Sequence, residues 1–304
     1  MTVGLGQRVV AGLAASSVTL AVRGALDEDP PGGSRRWTRM NHRGEPVSLL
    51  SGPAAAAGLI VGGALGAPTP RAAVASSVAT LAGATFGLVD DLAEDQETRA
   101  KGLRGHLGAL REGRLTTGAL KVLGIGAGAL VAAAVATPGR GADGSRRAPV
   151  AWAADVAASG ALIAATANLV NLLDLRPGRA LKAVGLAAAP MALAGGAGSG
   201  AAAAVVGAAS AGIEADLAER DMLGDGGANA LGAMLGAAVV LDAPRPVRLA
   251  LLAGAVGLTV ASERVSFTQV IARTPVLREL DGWGRRPMAP AAPVARAGDE
   301  SRGA

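Results

Sequence analysis

The 304-residue chain has no cysteine and no tyrosine, and only two phenylalanines, three tryptophans and two histidines. Without thiols it can build neither disulfides nor thiolate metal centres, and its redox compartment is left open. Charge is scarce as well: 17% of residues are Asp, Glu, Lys or Arg, against roughly 25% in ordinary soluble domains. In their place stand 50% hydrophobic residues and 45 glycines, gathered into long Ala/Gly/Val/Leu runs. A soluble protein with about nine such runs of roughly 16 to 25 residues would have more core than surface. The composition therefore predicts an all-α polytopic membrane protein with about nine transmembrane helices in a lipid bilayer.

The runs fall at about 3–22, 47–67, 72–89, 115–137, 149–173, 180–197, 199–217, 227–242 and 247–262. Gln7 and Arg8 interrupt the first, which is read as a retained span because no small-residue cleavage site and soluble domain follow it. Residues 23–46 read as an arginine-dense polar loop, and 90–114 and 139–147 as further loops. Beyond the ninth run comes a short amphipathic stretch broken at Pro275. The membrane domain is taken as 1–287, and the Pro/Ala/Gly-rich 288–304 as a tail with too little apolar content to fold.

The net charge of +5 resembles a nucleic-acid signal only until the charges are placed on loops. With nine alternating spans, 22 of the 29 Lys and Arg residues fall on one side, Lys121 being counted with the loop before it. The positive-inside rule makes that side cytoplasmic, with the N-terminus outside, the C-terminus inside and no nucleic-acid partner. The glycine motifs GLG at 4–6 and GIGAG at 124–128 follow no strand, so they read as helix-packing positions rather than nucleotide loops.

Three polar blocks share the cytoplasmic side. The third run ends on Asp90 and Asp91, with Glu94 and Asp95 one helical turn further on. Crowded carboxylates repel unless a cation sits among them, and an oxygen-only donor set suits Mg2+. At the end of the fifth run Asn168, Asn171 and Asp174 recur at three-residue spacing along one helical face. Gly224, Asp225, Gly226 and Gly227 open the eighth, where small residues and a helix N-terminus favour close approach of an anion. Arg43, Lys101, Lys121 and Lys182 stand nearby as donors for phosphate oxygens. Such groups at one membrane face, rather than at the midplane, argue against a transporter.

In order, NHRGEPVSLLSGP (41–53), GLVDDLAED (87–95), KGLRGH (101–106), GALK (118–121), NLVNLLD (168–174) and LGDGGANALG (223–232) resemble the motif series of the polyprenyl-phosphate N-acetylhexosamine-1-phosphate transferases. The resemblance implies transfer of a sugar-1-phosphate from a UDP-sugar to a polyprenyl phosphate (undecaprenyl or decaprenyl) at the cytoplasmic face of the plasma membrane, with Mg2+ as cofactor and release of UMP. It implies catalytic Asp90, Asp91 and Asp174. Substrate binding would fall to Arg43, Lys101, Lys121, Asn168, Asn171 and Gly227, and the metal to Asp225 with Asp91 or Asp174. A homodimer is compatible with it. The sequence departs from the family where Pro177 replaces a second aspartate, where Ala228 replaces a serine, and in lacking a His-rich loop, His42 and His106 being its only histidines. These departures motivate the alternative of a non-catalytic relative acting as scaffold or regulator in envelope assembly.

Overall fold

The helix from Gly224 to Asp242 is the axis of the fold, and its sequence, GDGGANALGAMLGAAVVLD, shows why. Glycine and alanine on every face let neighbouring backbones close in from all sides, which is how helices associate tightly in lipid. The computed structural model describes residues 2–41, 43–93, 116–140 and 144–287. In it nine helices form one bundle: α1 (Leu5–Glu28), α3 (Ser51–Gly66), α4 (Pro70–Ala93), α5 (Thr117–Ala136), α6 (Pro149–Leu173), α7 (Arg179–Ala194), α8 (Ser199–Leu217), α9 (Gly224–Asp242) and α10 (Arg245–Ser262). A one-turn helix, α2 (Ser34–Trp37), lies between α1 and α3, and two short helices, α11 (Phe267–Arg273) and α12 (Pro275–Gly282), follow the bundle.

Each predicted apolar run coincides with one bundle helix. Seven of the helices are long and apolar enough to cross a membrane, and α3 and α7, each 16 residues long, fall short of that length. Among the described residues the nine expected runs are nine helices, but seven of them, not nine, qualify as candidate spans. Arg8, the charge in the first run, turns its guanidinium onto the carbonyls of Ala192 and Leu193, both at 2.8 Å, closing the C-terminal end of α7.

Helix α9 packs on α3, α4, α6 and α8, and 83% of its most apolar window is buried, against 6% for α10. Leu231 and Met234 of α9 join Leu59, Leu181, Val184 and Val205 in one apolar cluster, while Ala233 and Ala237 join Ile125, Leu162 and Ile163 in a second. The outer helices α1, α5 and α10 leave leucines and valines such as Leu13, Leu123 and Leu258 uncovered, as lipid-facing positions require. Helix α10 leans on α6. It is pinned there by Arg248, which meets buried Asp155 at 2.9 Å; Arg147 reaches the other oxygen of the same carboxylate at 3.2 Å.

The polar stretch 23–46 is not the plain loop its composition suggests. It contains α2 and strand β1 (Thr38–Met40), which pairs antiparallel with β2 (Pro46–Ser48) in the register Arg39 opposite Val47. The hairpin extends onto the α8–α9 turn, where Ser48 N–H donates to the Arg220 carbonyl at 3.0 Å and Met222 N–H to the Ser48 carbonyl at 2.8 Å. Among the described residues the protein is mostly helical, as expected, with one small hairpin added, whose second strand takes the first residues assigned to the second span. The tail from 288 lies outside the described residues.

Candidate functional site

The C-terminal ends of α4 and α6 meet the N-terminal ends of α5, α7 and α9 at one end of the bundle, and the polar blocks converge there. Lys121, in the second turn of α5, donates to Asp90 Oδ2 of α4 at 2.6 Å and to Asp225 Oδ2 of α9. These three side chains are 18%, 11% and 30% exposed, so the ion triad is screened by protein on most sides but still reachable. An ammonium between two carboxylates leaves one negative charge over, which suits a second cation or a donor-rich ligand.

Asp91, the next residue, does a different job. Successive helical side chains diverge by about 100°, and the Asp91 carboxylate turns to the first turn of α9. There it accepts from Asp225 N–H at 3.0 Å and Gly226 N–H at 2.9 Å. The helix N-terminus expected to receive a ligand anion thus receives Asp91 of the same chain. Gly224 makes the turn possible: its φ is +61°, and a Cβ would lie 2.7 Å from Leu49 Cδ2 and 2.8 Å from Asp91 Oδ2. Asn229, buried in α9, donates to the Asp225 carbonyl at 2.8 Å and fixes the turn from within.

Asp174 ends α6, its N–H bonded to the Asn171 carbonyl at 3.1 Å. Among the described residues no cation pairs with its carboxylate. Burial, and after it the negative charges of Asp216, Asp225 and Asp91, hold that carboxyl well above the usual range. The Asp216 carboxylate of α8 accepts from Gly178 N–H, tying the 174–178 turn to α8.

The other expected binding residues are dispersed. Asn168 donates to Thr259 Oγ1 of α10 at 3.2 Å, and Asn171 makes no side-chain hydrogen bond among the described residues. Gly227 packs on α3, where a Cβ would stand 2.8 Å from Gly52 Cα. Arg43 grips buried Glu219 through Nε at 2.9 Å and 3.1 Å, and Lys182 donates to the carbonyls of Leu280, Asp281 and Trp283 at 3.0, 2.9 and 2.6 Å. Lys101, Glu94, Asp95, His42 and His106 lie outside the described residues. The triad end also holds Arg23, which clasps Asp221 with two bonds of 2.8 and 2.7 Å, as well as Asp216. None of these three is among the site residues expected from the sequence, although the acid-rich EADLAERD at 214–221, two residues before GDGG, is a signal for both acids.

The C-terminal segment closes over this end. Asp281 of α12 takes two bonds from buried Arg179, 2.7 Å to Nε and 3.0 Å to Nη2, and one of 2.6 Å from Arg285. Arg285 Nε also donates to the Pro177 carbonyl at 2.7 Å, and Arg286 reaches Glu45 at 2.6 Å. Burial acts to raise the Asp281 pKa, but Arg179 and Arg285 outweigh it and hold the carboxyl below the usual range. A carboxyl depressed in the folded state contributes stability above its unfolded pKa of about 3.9, and that contribution is lost as pH falls through the folded value. The segment should accordingly stay attached throughout neutral and mildly acidic pH and be released only below about pH 4. Cleavage of 263–287 by an acid protease across a pH series checks this, and release already at about pH 6 would contradict the pairing.

The residues fit a hard divalent cation in kind. Asp90 and Asp225 already converge on one cationic atom, and their donors are carboxylate oxygens. Among the described residues no group of three or more acidic or histidine side chains is assembled tightly enough to hold a metal by itself. Both Asp91 oxygens are taken by backbone N–H groups, which leaves the pair Asp90 and Asp225, with Asp174 near enough to feel the charge of Asp225. No protein-family model matches this chain, and no curated protein matches it either.

Proposed function

We propose that the chain is a membrane transferase that moves a sugar-1-phosphate from a UDP-N-acetylhexosamine to a polyprenyl phosphate, releasing UMP at the membrane surface. The observation that carries this reading is the meeting of Asp90, Lys121 and Asp225, from three helices far apart in sequence, at one end of an apolar bundle. A Mg2+ ion held by Asp90 and Asp225 would supply neutralisation of the diphosphate charge. Lys121, braced by Asp90, donates to a phosphoryl oxygen of the incoming diphosphate. Asp91 holds the first turn of α9, and with it Asp225, at a fixed distance from α4. An oxygen of the lipid phosphate forms its bond to the sugar-bearing phosphorus as that phosphorus loses its bond to the UMP oxygen. The lipid phosphate is already ionised near neutral pH, so the step asks no strong base of the protein.

The second reading, a non-catalytic relative serving as a scaffold in envelope assembly, is favoured by a specific feature. The cations named as phosphate donors and described here are engaged internally: Lys121 by the triad, Arg43 by Glu219 and Lys182 by α12. An exchange assay separates the two. Purified protein with polyprenyl phosphate, Mg2+ and a panel of UDP-N-acetylhexosamines should release UMP and form a lipid product. Asp225→Asn should reduce the rate by about a hundredfold or more. Asn168→Ala, whose side chain serves α10, should change it little. Absence of UMP across the panel from a folded parent protein would overturn the transferase and leave the scaffold.

A further inference from the structure

Helix α12 is mounted with its polar side inward. Asp281 meets Arg179 and Arg285, and the carbonyls of Leu280, Asp281 and Trp283 are held by Lys182. Its outward surface carries an apolar stripe, with Val276 67% exposed, Leu277 43%, Leu280 46% and Trp283, just past the last turn, 77%, flanked by exposed Arg278 and Glu279. These positions recur at the spacing of a single helical stripe. An ordinary surface helix of a soluble protein has the reverse arrangement, so this stripe needs an apolar environment of its own.

The chain's course indicates which one. Helix α10, a candidate span, ends at Ser262, and α11 starts at Phe267, so the segment leaves the bilayer only four residues before it turns helical again. Arg264, Arg273 and Arg278 on the segment are exposed and have no carboxylate partner among the described residues. Exposed cations beside an apolar stripe and a terminal tryptophan make an amphipathic element suited to the boundary between headgroups and acyl chains.

We infer that residues 263–287 form an interfacial strap. Leu280, Leu277, Val276 and Trp283 enter the acyl boundary of the leaflet that α10 leaves, Arg264, Arg273 and Arg278 lie at anionic headgroup phosphates, and Asp281, on the flank of the stripe, fastens the segment to the turn after Asp174. The occupant of the stripe is lipid. This rests on the bilayer environment of the bundle and not on the transferase reading.

The absence of native cysteine makes the test direct. Leu280→Cys and Glu279→Cys, both at exposed positions, are labelled with an environment-sensitive fluorophore in full-length protein and placed in nanodiscs of phosphatidylcholine and phosphatidylglycerol. Brominated lipid should remove most of the emission at position 280 and iodide little of it, with the order reversed at 279. In nanodiscs of phosphatidylcholine alone, or with Arg273→Gln and Arg278→Gln together, iodide access at 280 should rise. Equal iodide quenching at both positions would overturn the inference. So would a label at 280 that neither quencher reaches, since that identifies a protein occupant such as the chain's own tail or a second copy. Iodide access at 280 that ignores anionic lipid and the two arginines would overturn the headgroup contact.

Discussion

A Lys121→Met protein should melt far below the parent, with a loss of about 3–5 kcal/mol, because removing one partner of a buried ion cluster leaves its neighbours uncompensated. Here two carboxylates, Asp90 and Asp225, lose their shared cation at once. Neutralising one of them in the same molecule, as in Lys121→Met with Asp225→Asn, should recover much of the loss. Such non-additivity is what side chains in direct contact produce. Mg2+ should raise the melting temperature of Lys121→Met more than that of the parent, since the metal then meets two carboxylates with no ammonium between them. Thermal melts of parent, single and double variants with and without Mg2+ in detergent read all of this without any assay of turnover. Additive losses, or a Mg2+ response equal in parent and variant, would show that the ammonium and the metal do not compete for one place. The same variant should lose transferase activity, but that loss alone would not distinguish a collapsed site from a missing phosphate donor.

The triad shows how far the sequence reaches. Long apolar runs bounded by charge set the helices, and Pro149–Leu173 and Ser199–Leu217 begin and end where the composition changes. The same reading brings α4, α6 and α9 to one membrane face by charge counting. It cannot say how each helix is rotated. Asp90 and Asp91 are adjacent carboxylates with equal claims in the sequence, yet one meets Lys121 and the other caps α9, and that split comes from packing on α9. Asn168 fails to reach the triad end for a similar reason: the rotation of α6 turns its amide to Thr259 of α10. Strands β1 and β2 have three residues each and carry Arg39, so no periodicity marks them, and they exist because the α8–α9 turn offers Ser48 its partners. The hold of Arg179 on Asp281, 102 residues away, is likewise invisible to local pattern.

Gly87→Ala should disable the site although glycine 87 carries no chemistry. A Cβ there would stand 2.3 Å from the Asp225 carbonyl oxygen, 2.6 Å from its carbon and 2.7 Å from Gly226 N, all backbone atoms that no rotamer change can move aside. Ordinary contact needs 3.4 Å or more, so α4 and the first turn of α9 must part by about an ångström. Gly83, one turn earlier, is pressed on the Asn229 carbonyl at 2.6 Å by the same measure, so the helices cannot tilt to relieve the strain. Parting them stretches both Asp91 bonds to Asp225 N–H and Gly226 N–H and draws Asp225 from Lys121. Overpacking of this kind costs about 1–3 kcal/mol, and the unpaired carboxylates add to it. Gly126→Ala in α5 is the control: no atom lies within 4 Å of its added carbon, and in a helix the exchange gains up to about 1 kcal/mol. Melting temperature should therefore fall for Gly87→Ala and hold or rise for Gly126→Ala, with UMP release following the same order. Equal melting of the two variants would mean that α4 and α9 are not in backbone contact at Asp225, and the geometry that joins Asp90, Lys121 and Asp225 would fall with it.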